Sequence, residues 1–116
     1  MPYLDGYVLP VPKKKLNAYL RLARLSGRVW RSHGALEYHE CVGDDFNVKM
    51  GVPLSRLVRP KPTEAVVFAW IVYKSRADRN RVLAKVMKDP RFAAMDPNAM
   101  PFDPKRMAHG GFKVRV

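Results

Sequence analysis

Glu64-Ala65-Val66-Val67-Phe68-Ala69-Trp70-Ile71-Val72-Tyr73 reads as a strand that is apolar on both faces. β-branched and aromatic residues dominate it, and successive side chains of a strand point to opposite sides. Val66, Phe68, Trp70 and Val72 fall on one face, and Val67, Ala69, Ile71 and Tyr73 on the other. Such a strand has to be covered twice.

The flanking segments supply one of the two covers. Downstream, Ser75-Arg76-Ala77-Asp78 has capping-box spacing, and Val82, Leu83, Val86 and Met87 form a helical stripe that ends at Asp89-Pro90. Upstream, Lys13 to His33 is the longest helical signal, with Leu16, Leu20, Ala23, Gly27 and Trp30 on one stripe. Gly34 suits a left-handed helix terminus, and Arg28, Arg31 and His33 suit the negative pole of the helix dipole. Ala35 to Val42 reads as a strand, closed by the turn signal Gly43-Asp44-Asp45. Tyr3 to Val11 is a first strand bounded by Pro10 and Pro12. Arg106 to Val116 is the last, with Gly110-Gly111 marking a bulge or a close backbone approach.

Two segments are irregular. Residues 46–63 contain Gly51, Pro53, Pro60 and Pro62 and read as a flap or arm, with a short strand expected near Leu54 to Val58. Residues 91–105 interleave prolines with Phe92, Met95, Met100 and Phe102, so an ordered connection that buries its apolar side chains is expected.

The order β-α-β-β-α-β predicts a ferredoxin-like α+β fold, an antiparallel sheet with two helices on one face, as a single domain over residues 1–116. Two helices cover one sheet face only. The other face predicts a partner, and the simplest is a second copy, giving a homodimer whose sheets close into an α/β barrel.

Composition bounds the partners. The chain carries 22 Lys and Arg against 10 Asp and Glu, a formal net charge of +12. That excess predicts attraction to polyanions. The lone Cys41 excludes an internal disulfide and a cysteine-cluster zinc site, and fits a reducing compartment. The N-terminus does not read as a secretory signal, and no apolar stretch approaches the about 18 residues of a membrane span. A cytoplasmic protein with no membrane partner is expected.

Asp5-Gly6-Tyr7-Val8-Leu9-Pro10-Val11-Pro12, Val29-Trp30, His33-Gly34-Ala35-Leu36-Glu37-Tyr38 and Glu40-Cys41-Val42-Gly43-Asp44-Asp45 resemble the YbaA-like family of bacterial proteins of unknown function. Val67 to Tyr73, Lys85-Val86-Met87, Met100-Pro101-Phe102-Asp103, Lys105-Arg106-Met107 and Gly110-Gly111-Phe112 continue the resemblance over almost the whole chain. The resemblance implies the dimeric α/β-barrel superfamily of ferredoxin-like folds. Cofactor-free monooxygenases, dehydratases, isomerases and stress-related binding proteins share that superfamily.

No catalytic motif stands out. His33, His39 and His109 have no metal-ligand spacing, so neither metal nor cofactor is expected. His39 and Cys41 share a strand face, but residues two apart lie about 7 Å apart along it, too far for a direct hydrogen bond. Tyr38, His39, Trp70, Tyr7 and His109 are candidates for lining a small-molecule pocket near the 46–63 flap, because aromatics with a polar end orient flat ligands. Arg21, Arg24, Arg28 and Arg31 share one helical face, and Arg81, Lys85 and Lys88 another. These are candidate RNA-phosphate contacts. The aromatic octamer of an RNA-recognition motif is absent from Glu64 to Tyr73.

Overall fold

The structure is a computed structural model that describes residues 1–116. Four strands form one antiparallel sheet: β1 (Tyr3–Pro12), β2 (Glu37–Val42), β3 (Glu64–Tyr73) and β4 (Ala108–Lys113). Their spatial order is β2-β3-β1-β4. Helix α1 (Leu16–Ser32) joins β1 to β2, and α2 (Arg76–Lys88) follows β3. This is the ferredoxin-like arrangement that the alternation of β3 and the two amphipathic helices predict.

Both helices lie on the side of Val67, Ala69, Ile71 and Tyr73. Val29 and Trp30 of α1 meet Val82 and Val86 of α2 over Ile71 and Tyr73. Tyr19 and Ala23 of α1 pack on Leu9, Val11 and Val67. Each aliphatic side chain fully removed from water in this way contributes about 1.5–3 kcal/mol. The buried side of α1 is centred on Tyr19, Ala23, Ser26 and Trp30, while Leu16 and Leu20 are only half-buried. The expected stripe is therefore rotated, because the helix also packs over β2. Met87, expected in the α2 stripe, is 54% exposed.

Local chemistry sets the boundaries. Gly34 adopts φ +117, and the N–H groups of Gly34 and Ala35 donate to the carbonyls of Arg31 and Trp30 at 3.1 Å. Only glycine takes that backbone conformation freely. The Ser75 hydroxyl accepts from the Asp78 N–H at 3.1 Å, as an N-cap does. Three Asp-Pro steps punctuate the connection after α2. Asp89, Asp96 and Asp103 each accept from the N–H two residues on and open the short helical turns at Pro90–Ala93 (α3), Pro97–Ala99 and Pro104–Arg106. That connection is ordered, as its apolar content implies.

Residues 46–63 hold a 3-10 turn at Leu54–Leu57, and no strand forms there. Pro53 removes a backbone donor and biases its surroundings toward a turn. Phe46 and Val58 of this segment pack on Val8 and Val66, on the side of the sheet away from the helices. Gly110 and Gly111 keep an unbroken register with Gly6 and Asp5. They mark a close approach and no bulge: a side chain at Gly111 would run into the Tyr3 phenol.

Candidate functional site

Strand parity divides the five pocket candidates. On β2, Tyr38 and Glu40 face the helices. The Tyr38 ring lies against Gly27 and 5.9 Å from the Trp30 ring. On β1 and β4, Tyr7 and His109 are register partners, and their rings stack at 5.6 Å. These three belong to the helix-covered side. His39 and Trp70 do not. They are register partners on the opposite face, with ring centroids 5.0 Å apart and Phe68 beside Trp70 at 5.6 Å. The expected single pocket near the 46–63 flap is therefore corrected: the flap shares the face of His39 and Trp70, with the sheet between it and Tyr38.

A cavity of about 140 Å³ opens beneath α1. Tyr7, Trp30 and Tyr38 wall it, Ala69 and Ile71 floor it, and Glu40 supplies its carboxylate. A neighbouring space of about 160 Å³ shares Trp30, Tyr38 and Glu40 and continues toward Phe92, Met95, Met100 and Phe102. The small side chain of Ala69 leaves the floor open.

Glu40 organises this site. It accepts hydrogen bonds from the Tyr19 and Tyr38 phenols, the latter at 2.8 Å. Burial, and then the Glu40 charge, pushes both phenols well above the usual tyrosine range. Both therefore stay protonated and donate. A second polar chain lies under α2. The buried Asp5 pairs with Arg79 at 3.1 Å, Arg79 also donates to the Tyr3 hydroxyl at 3.3 Å, and the Trp30 indole donates to the Tyr73 hydroxyl at 3.1 Å. Desolvation raises the Asp5 carboxyl above its ordinary value, and Arg79 opposes that. Burial pushes Tyr7 up to about 12.

Sequence reasoning missed Glu40, Tyr19, Asp5 and Arg79. Glu40 was legible in part, since period two places it beside Tyr38. Tyr19 was not, because the stripe Leu16-Leu20-Ala23-Gly27-Trp30 passes it by. The Asp5–Arg79 pair spans distant segments and has no local signal.

Arg21, Arg24, Arg28 and Arg31 are exposed, and none takes part in an ion pair. Arg81 pairs with Asp78, while Lys85 and Lys88 are exposed and unpaired. Arg24 and Arg31 also line an open groove on the solvent side of Tyr38 and Glu40. His33 contacts Asp89 at 2.7 Å and His39 contacts Glu37 at 3.1 Å. No three His, Cys, Asp or Glu side chains gather into a set that could hold a metal ion. Cys41 is exposed. No helix is long and apolar enough to cross a membrane.

A family model described as a protein of unknown function (DUF1428) matches residues 2–104. The uncharacterized protein YbaA of Escherichia coli K12 is 37% identical over 113 residues, covering 97% of this chain and 96% of that one. Among solved structures, a NIPSNAP family protein of unknown function from Agrobacterium tumefaciens aligns with a TM-score of 0.59 at 14% identity, over 97% of this chain and 87% of that one. A protein from an uncultured marine organism, described as a dimeric ferredoxin-like protein, aligns with a TM-score of 0.55 at 12% identity, over 100% and 98%. At these identities the likeness to solved structures concerns the fold.

Proposed function

From the premise that this chain belongs to the DUF1428 family of proteins of unknown function, we propose that it binds a small ring-containing molecule in the cavity beneath α1. The cavity walled by Tyr7, Trp30 and Tyr38 carries the reading. Its volume of about 140 Å³ is close to the ~150 Å³ of an apolar cavity that takes up benzene. It matches one ring. Aromatic walls with a few convergent polar groups are what orient a flat ligand. The test is uptake of phenol or indole, followed by titration calorimetry. Ala69→Phe fills the floor and should abolish uptake while circular dichroism stays unchanged. Undiminished uptake in a folded Ala69→Phe protein removes the reading.

The second reading is the basic face of α1, favoured by four exposed arginines with no carboxylate partner. Such a row suits contacts to RNA phosphates, which give affinity without sequence selection. Changing Arg21, Arg24, Arg28 and Arg31 to Glu should eliminate binding of structured RNA at physiological salt. Retained binding in that variant rejects it.

A homodimer accompanies either reading. Phe68 is 40% and Phe112 59% exposed on the sheet face that the helices leave open. An exposed apolar patch marks an interaction surface, and one fold neighbour is described as dimeric. The proposed occupant is the same face of a second copy.

A further inference from the structure

The acidic side chain at the cavity stands out by what it lacks. With 22 Lys and Arg in the chain, Asp5, Glu37, Glu64, Asp78 and Asp89 all have a basic partner. Asp44, Asp45, Asp96 and Asp103 are exposed. Glu40 is half-buried, faces the cavity and takes part in no ion pair. Its two phenol partners are neutral donors. A carboxylate withdrawn from water without a counter-charge is costly. Each of its oxygens has a further lone pair open after accepting one phenol. The Trp30 and Tyr38 rings border the same space, and the electron-rich faces of such rings attract cations.

We propose that the ligand of this cavity is a small organic cation, a ring carrying an ammonium group, with Glu40 as its counter-ion and Trp30 and Tyr38 as its aromatic walls. The inference rests on the small-molecule reading and names its ligand class. The ammonium replaces the missing basic partner, and the ring occupies the space over Ala69. On the side of Met95, Met100 and Phe102 the adjoining wall is apolar, and the exposed Asp96 stands near Met95 and Met100. The opposite groove carries Arg24 and Arg31 and disfavours a cation there.

The test uses three probes of one shape on the full chain: benzylammonium, neutral benzyl alcohol and anionic benzoate, by titration calorimetry. Benzylammonium is expected to bind about tenfold more tightly than benzyl alcohol, with benzoate weakest. Glu40→Gln keeps an oxygen for the phenols and should bring the first two affinities together. Equal affinity for the alcohol, or benzoate binding tightest through Arg24 and Arg31, overturns the cation assignment and leaves the ring-binding cavity standing. Binding of none of the three overturns both. A preference for benzylammonium that survives in folded Glu40→Gln also overturns the role of Glu40. The ranking in the unmodified protein decides the ligand class even where Glu40→Gln does not fold.

Discussion

The two faces of the sheet are built from the same strands and the same kinds of residue, yet they differ in chemistry. On the helix-covered side the apolar side chains are interrupted by Asp5, Tyr19, Tyr38, Glu40 and Tyr73, and each polar end has a partner: Tyr19 and Tyr38 on Glu40, Asp5 on Arg79 and Tyr73 on Trp30. On the open face Phe68, Trp70, Val72 and Phe112 form a plateau with His39 and Glu37 at one margin. Buried polar groups are tolerated where each finds a partner, and then they fix a unique packing. A surface meant for another apolar surface needs few of them. The contrast separates the face proposed to hold a site from the face proposed to hold a subunit.

The largest effect should come from breaking the Asp5–Arg79 pair. Arg79→Met leaves a buried carboxylate without its ion-pair partner, which costs about 3–5 kcal/mol. Urea unfolding should show that loss, and adding Asp5→Asn should recover much of it. A single variant as stable as the parent would mean that water reaches Asp5 and that the helix-covered face is wetter than its burial indicates. Next comes the open face. Phe68→Lys should raise the dimer dissociation constant by about 100-fold, the effect of one well-placed anchor, with the monomer still folded. Light scattering that finds a monomer in the unmodified protein would remove the proposed contrast in roles.

Smaller again is the tie between Tyr38 and Glu40. Tyr38→Phe keeps the ring on Gly27 and removes one donor to the carboxylate. It should cost about 1 kcal/mol of stability, the ordinary worth of such a bond, and loosen ligand selectivity more than fold. The same change at Tyr3 removes a hydrogen bond from Arg79, away from Glu40, and should leave ligand binding as it was.

The architecture was legible because it rests on periods. The ten residues from Glu64 to Tyr73 show period two on both faces, and both ends of α2 are written in Ser75 and Asp89-Pro90. The open face was legible for the same reason. The site was only half so. Parity alone separates Tyr38 from His39, and nothing local says which of the two faces the helices will cover. The cavity depends on Tyr19 reaching Glu40 and on Ala69 staying small beneath Trp30. Those are contacts between segments far apart in the chain, and their partners carry no shared pattern. The 46–63 segment misled for a different reason: its prolines favour turns, and its few apolar residues are used on the open face.

The smallest effect concerns acid, and it separates the deep groups of the helix-covered side from its rim. At the rim, Arg91 and then His33 hold the Asp89 carboxyl well below the usual carboxylate range. A carboxyl depressed in the folded state binds fewer protons there than in the unfolded chain. Its contribution is therefore complete above the ordinary carboxylate range and fades as pH falls through and below it. Glu64, lowered by Arg106 and by the Lys61 N–H, acts with the same sign. Asp5 acts with the opposite sign. Desolvation raises it, so the folded state holds its proton more readily and its contribution is lost as pH rises. Asp89→Asn should thus flatten the acid limb of a stability-against-pH curve, whereas Asp5→Asn should leave that limb as steep or steeper. The Asp89 effect should be modest because the Arg91 side chain is 47% exposed and solvent screens the pair. If raised salt leaves the Asp89 limb untouched, the pair is better shielded than its exposure implies, and the distinction between rim and depth fails.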